Sequence, residues 1–190
     1  MITLSQTKPL GGVGAILLIL NGVPGIGVLA ALAGYILILF AIKNISKILE
    51  DKSIFNNMLI ASIAAVTGVI AVTIMIISFF VGLENLGTES LDQYFMSSIM
   101  FDQLLSMMLP VVIGLLLSWI LFIISAIYLR KSYNSMGERL NVNMFSTSAK
   151  INLIGAIFSI IIIGFLIIFI AQVLQIVAFF SIPDEIPEHQ

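Results

Sequence analysis

Asn21 and Pro24 lie in the interruption NGVPG (Asn21–Gly25), and Gln172 and Gln175 stand three residues apart in the last long apolar run. Two kinds of chemistry fit these residues. A helix broken by Gly and Pro frees backbone carbonyls and N–H groups, which in the discontinuous helices of transporters hold ions and substrates. Two glutamines on one helical face can form a polar wall for a small solute. The structural alternative is an interhelical hydrogen bond, worth about 0.6 kcal/mol on average in lipid. Thr67, Thr73, Ser118 and Ser125 are further polar residues in apolar sequence and take the same structural reading. Transport folds usually pair two breaks in repeated halves. This sequence shows one break and no internal repeat.

What is missing narrows the chemistry more than what is present. The apolar runs hold no Asp, Glu, Lys, Arg or His away from their ends. Proton relays and ion-coupling sites are usually built from such buried groups. The single histidine, His189, is next to last. Haem ligation, a histidine metal cluster and an intramembrane Ser–His pair therefore have no residues to use. The absence of cysteine removes thiolate metal sites, disulfides and a Cys nucleophile. Gly11, Gly12 and Gly14 are not followed by Lys-Ser/Thr and do not make a phosphate loop. Met96, Met100, Met107 and Met108 could hold Cu(I) only on one wet face, and packing is the simpler use. No enzyme activity, cofactor or metal is expected.

The elements that position these residues follow from charge. Of 190 residues, 60% are hydrophobic and 9% charged. So few charges cannot coat a soluble globule, whose usual share is near 25%. A net charge of −2 gives no basic excess for nucleic acid. Four stretches carry no charge: Pro9–Ile42, Ser53–Leu83, Gln103–Leu129 and Ile151–Pro183. Each exceeds the ~20 residues that cross a bilayer as a helix. No 10-residue alternation suggests a β-barrel. The NGVPG break leaves Leu10–Leu20 only about 16 Å long, a thin crossing or a re-entrant piece. No removable leader is expected, and the first apolar segment is retained.

The expected fold is an all-α integral membrane protein forming a single membrane domain. Four full transmembrane helices cover about 26–43, 55–82, 110–129 and 151–181, with a short N-terminal hydrophobic helix at 10–20. Pro110 suits a first helical turn and starts the third full span. An outer interfacial amphipathic helix covers about 90–107, opened by Ser90 and Gln93 as a capping box. Small residues four apart mark helix contacts: Gly27 and Ala31, Ala30 and Gly34, Ala61 and Ala65, Ala64 and Gly68, Gly155 and Ser159.

Seven of eight Lys and Arg residues fall in 43–53 and 130–150, which the positive-inside rule reads as cytoplasmic loops. Lys8 joins them if segment 10–20 crosses. Five crossings are then favoured, with the C-terminus extracytoplasmic.

Two stretches carry a resemblance. One is GGVGAILLIL (Gly11–Leu20), with AIKNISKILEDKSIFNNMLIA (Ala41–Ala61). The other is MFSTSAKINLIGAIFSIIIIGFLIIFIAQVLQIVAFFSI (Met144–Ile182), where LIGAIFSIIIIGF and the closing AFFSI are most specific. Together they resemble an archaeal multi-pass membrane family catalogued only as a domain of unknown function. The resemblance covers nearly the whole chain except Glu84–Ser106. It implies an archaeal plasma membrane and brings no activity. The expected role is a non-catalytic accessory or scaffolding subunit, with the lipid bilayer and other membrane subunits or further copies as partners. The alternative is a passive channel or small-solute transporter.

Overall fold

In lipid every backbone N–H and C=O must be satisfied within its own segment, so long uncharged stretches fold as helices. The computed structural model describes residues 3–87 and 99–187, and every regular element among them is helical. They are α1 (Leu4–Ile19), α2 (Gly27–Ile48), α3 (Lys52–Gly87), α4 (Ile99–Arg139), α5 (Asn143–Ile157) and α6 (Ile162–Phe180). Short 3-10 turns occupy Leu20–Gly22 and Phe158–Ile160. Four helices are long and apolar enough to cross a membrane: α2, α3 over Lys52–Glu84, α4 over Leu105–Arg139 and α6 over Ile163–Phe180. The chain is an all-α membrane protein.

Packing divides it into two units where the sequence reads as one domain. Unit 1 is residues 1–63 with 123–190, and unit 2 is residues 64–122. In unit 1, α1 folds back on α2, α5 folds back on α6, and α1 lies along α6. Glycines permit the close approaches. A Cβ at Gly14 would stand 2.7 Å from the Gly34 carbonyl oxygen, and one at Gly155 2.7 Å from Cγ1 of Ile168. A Cβ at Gly11 or Gly12 would run into the ring of Phe179 or Phe180.

Six helix ends converge on one apolar core in unit 1. Leu4 comes from α1, Ile45 from α2, Ile54 from α3, Tyr133 and Met136 from α4, Phe145 from α5, and Phe179 from α6. Three rings meet edge to face: Phe145–Phe179 at 5.1 Å, Tyr133–Phe145 at 5.4 Å and Tyr133–Phe179 at 6.4 Å between centroids. Such pairs add about 0.5–1.5 kcal/mol beyond area burial.

Unit 2 is an antiparallel pair made of the later part of α3 and the earlier part of α4. Its seam recurs every seven residues on α3 (68, 75, 82) and every seven or eight on α4 (107, 114, 122), and each glycine faces a large side chain. A Cβ at Gly68 would lie 3.1 Å from the Phe122 ring, one at Gly114 2.9 Å from Met75 and one at Gly82 2.9 Å from Met107. Seven-residue spacing keeps a seam on one face of each helix.

Several expectations are corrected. The stretches 43–53 and 130–150 are not loops. The connections shrink to turns around Glu50 (φ 53°) and Asn141 (φ 54°), and the remainder is helix. Charges marked these stretches as loops, but their apolar residues recur at helical spacing and bury: Tyr133, Met136 and Leu140, then Phe145 and Ala149. The third span does not begin at Pro110 or end near residue 129, because α4 runs through Pro110 from Ile99 to Arg139. Neighbouring groups in membrane helices can take up the backbone bond that Pro leaves open. The proposed interfacial helix 90–107 is seen over 99–107 as the first turns of α4, while 90–98 lies outside the described residues.

The span 151–181 is not one helix either. It breaks at Phe158–Ile161 into a hairpin, so a second break exists where the sequence showed one. Asp184 accepts a hydrogen bond from Lys8 at 2.8 Å, and Ile182 packs in the same core cluster as Leu49 and Leu140, so the C-terminal segment stands at the end of unit 1 where the two basic turns lie.

Candidate functional site

Asn21 and Pro24 form the tip joining α1 and α2, and both are exposed. Gly25 takes φ 86°, a left-handed conformation that glycine adopts without strain, and nothing lies within 4 Å of where its Cβ would be. The tip is sealed from inside: a Cβ at Gly27 would collide with the carbonyls of Leu20 and Asn21. The second tip, Phe158–Ile161, closes the same way, with Gly164 against the Phe158 carbonyl. Gly155 and Gly164, which flank this tip, were its only signal in the sequence.

Gln172 and Gln175 are half-buried on α6. Gln175 is the side chain facing the Tyr133 hydroxyl, outside ordinary hydrogen-bond geometry. Tyr133 is fully buried, and its hydroxyl has no hydrogen-bond partner. Close by, the Tyr35 hydroxyl on α2 faces Ser62 on α3, and the Ser62 hydroxyl donates to the Met58 carbonyl at 2.6 Å. Tyr35, Ser62, Tyr133 and Gln175 thus form a polar cluster within the apolar interior of unit 1. Sequence reasoning found Gln175 alone, since a lone Tyr or Ser gives no periodic signal. The structure does not bring Asn21 or Pro24 into this cluster.

The other predicted packing residues fall into two groups. Gly27, Gly34 and Gly155 make close contacts within the two hairpins of unit 1. Gly68 belongs to the seam of unit 2, and Ala64 is buried. Ala31 is half-buried. Among the described residues, no three His, Cys, Asp or Glu side chains gather as a metal would require.

The most polar region is the basic end of unit 1. Asp51 caps α3, accepting from the Ser53 N–H at 2.9 Å and from its hydroxyl at 2.6 Å. Arg139 donates to the Leu49 carbonyl at 3.3 Å and reaches Asp51 at 3.1 Å, binding the end of α4 to the α2–α3 turn. The Ser53 hydrogen bond, then Arg139, hold the Asp51 carboxyl below its usual range. Ser132 donates to the Ile54 carbonyl at 2.8 Å and makes a second tie between the same helices.

Residues 30–173 match a family described as Protein of unknown function (DUF996). The chain belongs to this family. An uncharacterized protein of Methanocaldococcus jannaschii is 35% identical over 183 residues, covering 96% of this chain and 95% of the relative. The family match spans residues 84–106, which the sequence resemblance left out. No solved structure matches.

Proposed function

We propose that this protein is a non-catalytic scaffolding subunit of a membrane assembly. The observation that carries the reading is the interior of unit 1, filled by Tyr133, Phe145, Phe179, Ile38, Ile42 and Met136 rather than by a polar path. A solute path through it would have to displace packed rings, at about 3–5 kcal/mol for each aromatic removed. The outward surface of unit 2 is a broad apolar face suited to lipid or to a neighbouring membrane helix. The basic end faces the cytoplasm in this reading, and the Lys8–Asp184 pair lies there with it.

The test is gentle solubilisation from native membranes, followed by size-exclusion chromatography and mass spectrometry. Elution with a defined set of other subunits supports the proposal. Elution as a lone monomer rejects it.

The paired breaks favour a second reading, a passive small-solute path at the tips of the α1–α2 and α5–α6 hairpins. Solute flux into proteoliposomes that falls on Asn21→Leu would support it. Flux equal to empty vesicles would remove it.

A further inference from the structure

We propose that the basic end of unit 1 is a binding surface for anionic lipid headgroups, formed by Lys43, Lys47, Lys52, Arg130, Lys131 and Lys150.

The argument starts from where cations stand along the chain. Each uncharged stretch carries a basic residue at its limit: Lys8 and Lys43 around the first, Lys52 before the second, Arg130 after the third and Lys150 before the fourth. The far limits of the second and third stretches are acidic instead, at Glu84 and Asp102. The cations therefore mark one limit of the apolar length, which is where a bilayer places its phosphates.

Pairing separates two classes among the eight. Lys8 is paired with Asp184, and Arg139 with Asp51. Among the described residues, the other six have no carboxylate within 4 Å. Five of the six are exposed, and Arg130 is half-buried. Among the described residues, Glu50, Glu138 and Glu185 are the unpaired acids at this end, against six unpaired cations.

Two of the lysines are aimed by rings. Lys131 lies 4.7 Å from the Tyr128 centroid and Lys43 5.8 Å from the Phe55 centroid. A cation held over an aromatic at the limit of an apolar span is the arrangement of an interfacial anchor, with its stem on apolar surface and its head among phosphates. An acidic protein partner would need no such coincidence with the span limits.

The test uses the full-length chain in mixed micelles of phosphatidylglycerol and phosphatidylcholine in equal amounts, with native mass spectrometry counting each retained lipid. The wild type is expected to retain phosphatidylglycerol preferentially. Each lysine changed to Gln should lower the preference by up to about fivefold, from ~1 kcal/mol per basic residue at the surface. Replacing all six by Gln should bring it near one, and Glu50→Gln with Glu138→Gln should raise it. Circular dichroism checks that each variant remains helical. If the sixfold variant does not fold, the wild type decides: its preference should collapse between 0.1 M and 1 M salt. A wild-type ratio near one, or a preference that neither the substitutions nor salt reduce, overturns the proposal.

Discussion

Phe179 and Phe80 are the same residue type in helices of similar apolarity, yet they meet opposite surroundings. Phe179 is 0% exposed, held in unit 1 between Tyr133 and Phe145. Phe80 in unit 2 is 63% exposed. Unit 1 is built as a soluble protein builds a core, from branched aliphatics, rings and helix ends tied by Arg139 and Ser132. Among the described residues, unit 2 shows no comparable core and is joined along a glycine seam. The difference teaches that hydrophobicity alone does not organise a membrane protein. In lipid an apolar side chain loses little by remaining outside, so packing must come from shape. Where charged helix ends leave the bilayer, water returns and ordinary hydrophobic burial applies.

The largest effects should come from breaking the better-packed region. Phe179→Ala should cost about 3–5 kcal/mol, as for other buried aromatics. Phe80→Ala should cost well under ~1 kcal/mol, since lipid fills the space. Unfolding by SDS titration from mixed micelles compares the two directly, and equal costs would end the contrast drawn between the units. Backbone contact comes next. Gly34→Ala puts a methyl 2.5 Å from the Gly14 carbonyl oxygen, where only backbone movement relieves the clash, and should cost about 2 kcal/mol. Gly68→Ala meets ring and side-chain atoms at 3.1–3.4 Å that can give way, and should change stability by less than ~1 kcal/mol. If Gly68→Ala proves the more damaging, the unit 2 seam is tighter than its contacts imply.

The same contrast explains what was legible in the sequence. Apolar length reports lipid, so the four long helices could be placed from the uncharged stretches. Charge reports water but not loop. Residues 43–53 and 130–150 were therefore read as loops, although Tyr133, Met136, Leu140, Phe145 and Ala149 follow a helical period through the second. The break at Phe158–Ile161 has no Pro, and its four residues are all compatible with helix. Only the tertiary fit of Gly155 against Ile168 and of Gly164 against the Phe158 carbonyl turns the chain there. The Tyr35–Ser62–Tyr133–Gln175 cluster joins residues from four helices, and no single-segment pattern announces it.

Tyr133→Phe sharpens the comparison at the level of one atom. The hydroxyl is buried without a partner, and such a group costs about 1–3 kcal/mol to desolvate. Removing it should leave stability unchanged or raise it by about 1 kcal/mol in the same SDS titration. A clear loss would mean that the hydroxyl is satisfied in solution, through Gln175 or a bridging water.

The smallest effect belongs to the turn that joins α2 to α3. Asp51 has its carboxyl held below the ordinary range by Ser53 and then Arg139. A carboxylate with a depressed folded-state value binds protons more readily in the unfolded chain. Its contribution is therefore complete above the unfolded value near ~3.9 and is lost as pH falls through the lower folded one. Wild-type stability should consequently drop on acidification below about pH 4. In Asp51→Asn that part of the drop should vanish, while stability at pH 7 falls slightly because a neutral amide pairs more weakly with Arg139. Identical acid limbs for the two proteins would show that the Asp51–Arg139 tie contributes nothing to holding α4 against the turn. The end of α4 would then be held by the Ser132 hydrogen bond to the Ile54 carbonyl and by the buried rings of unit 1.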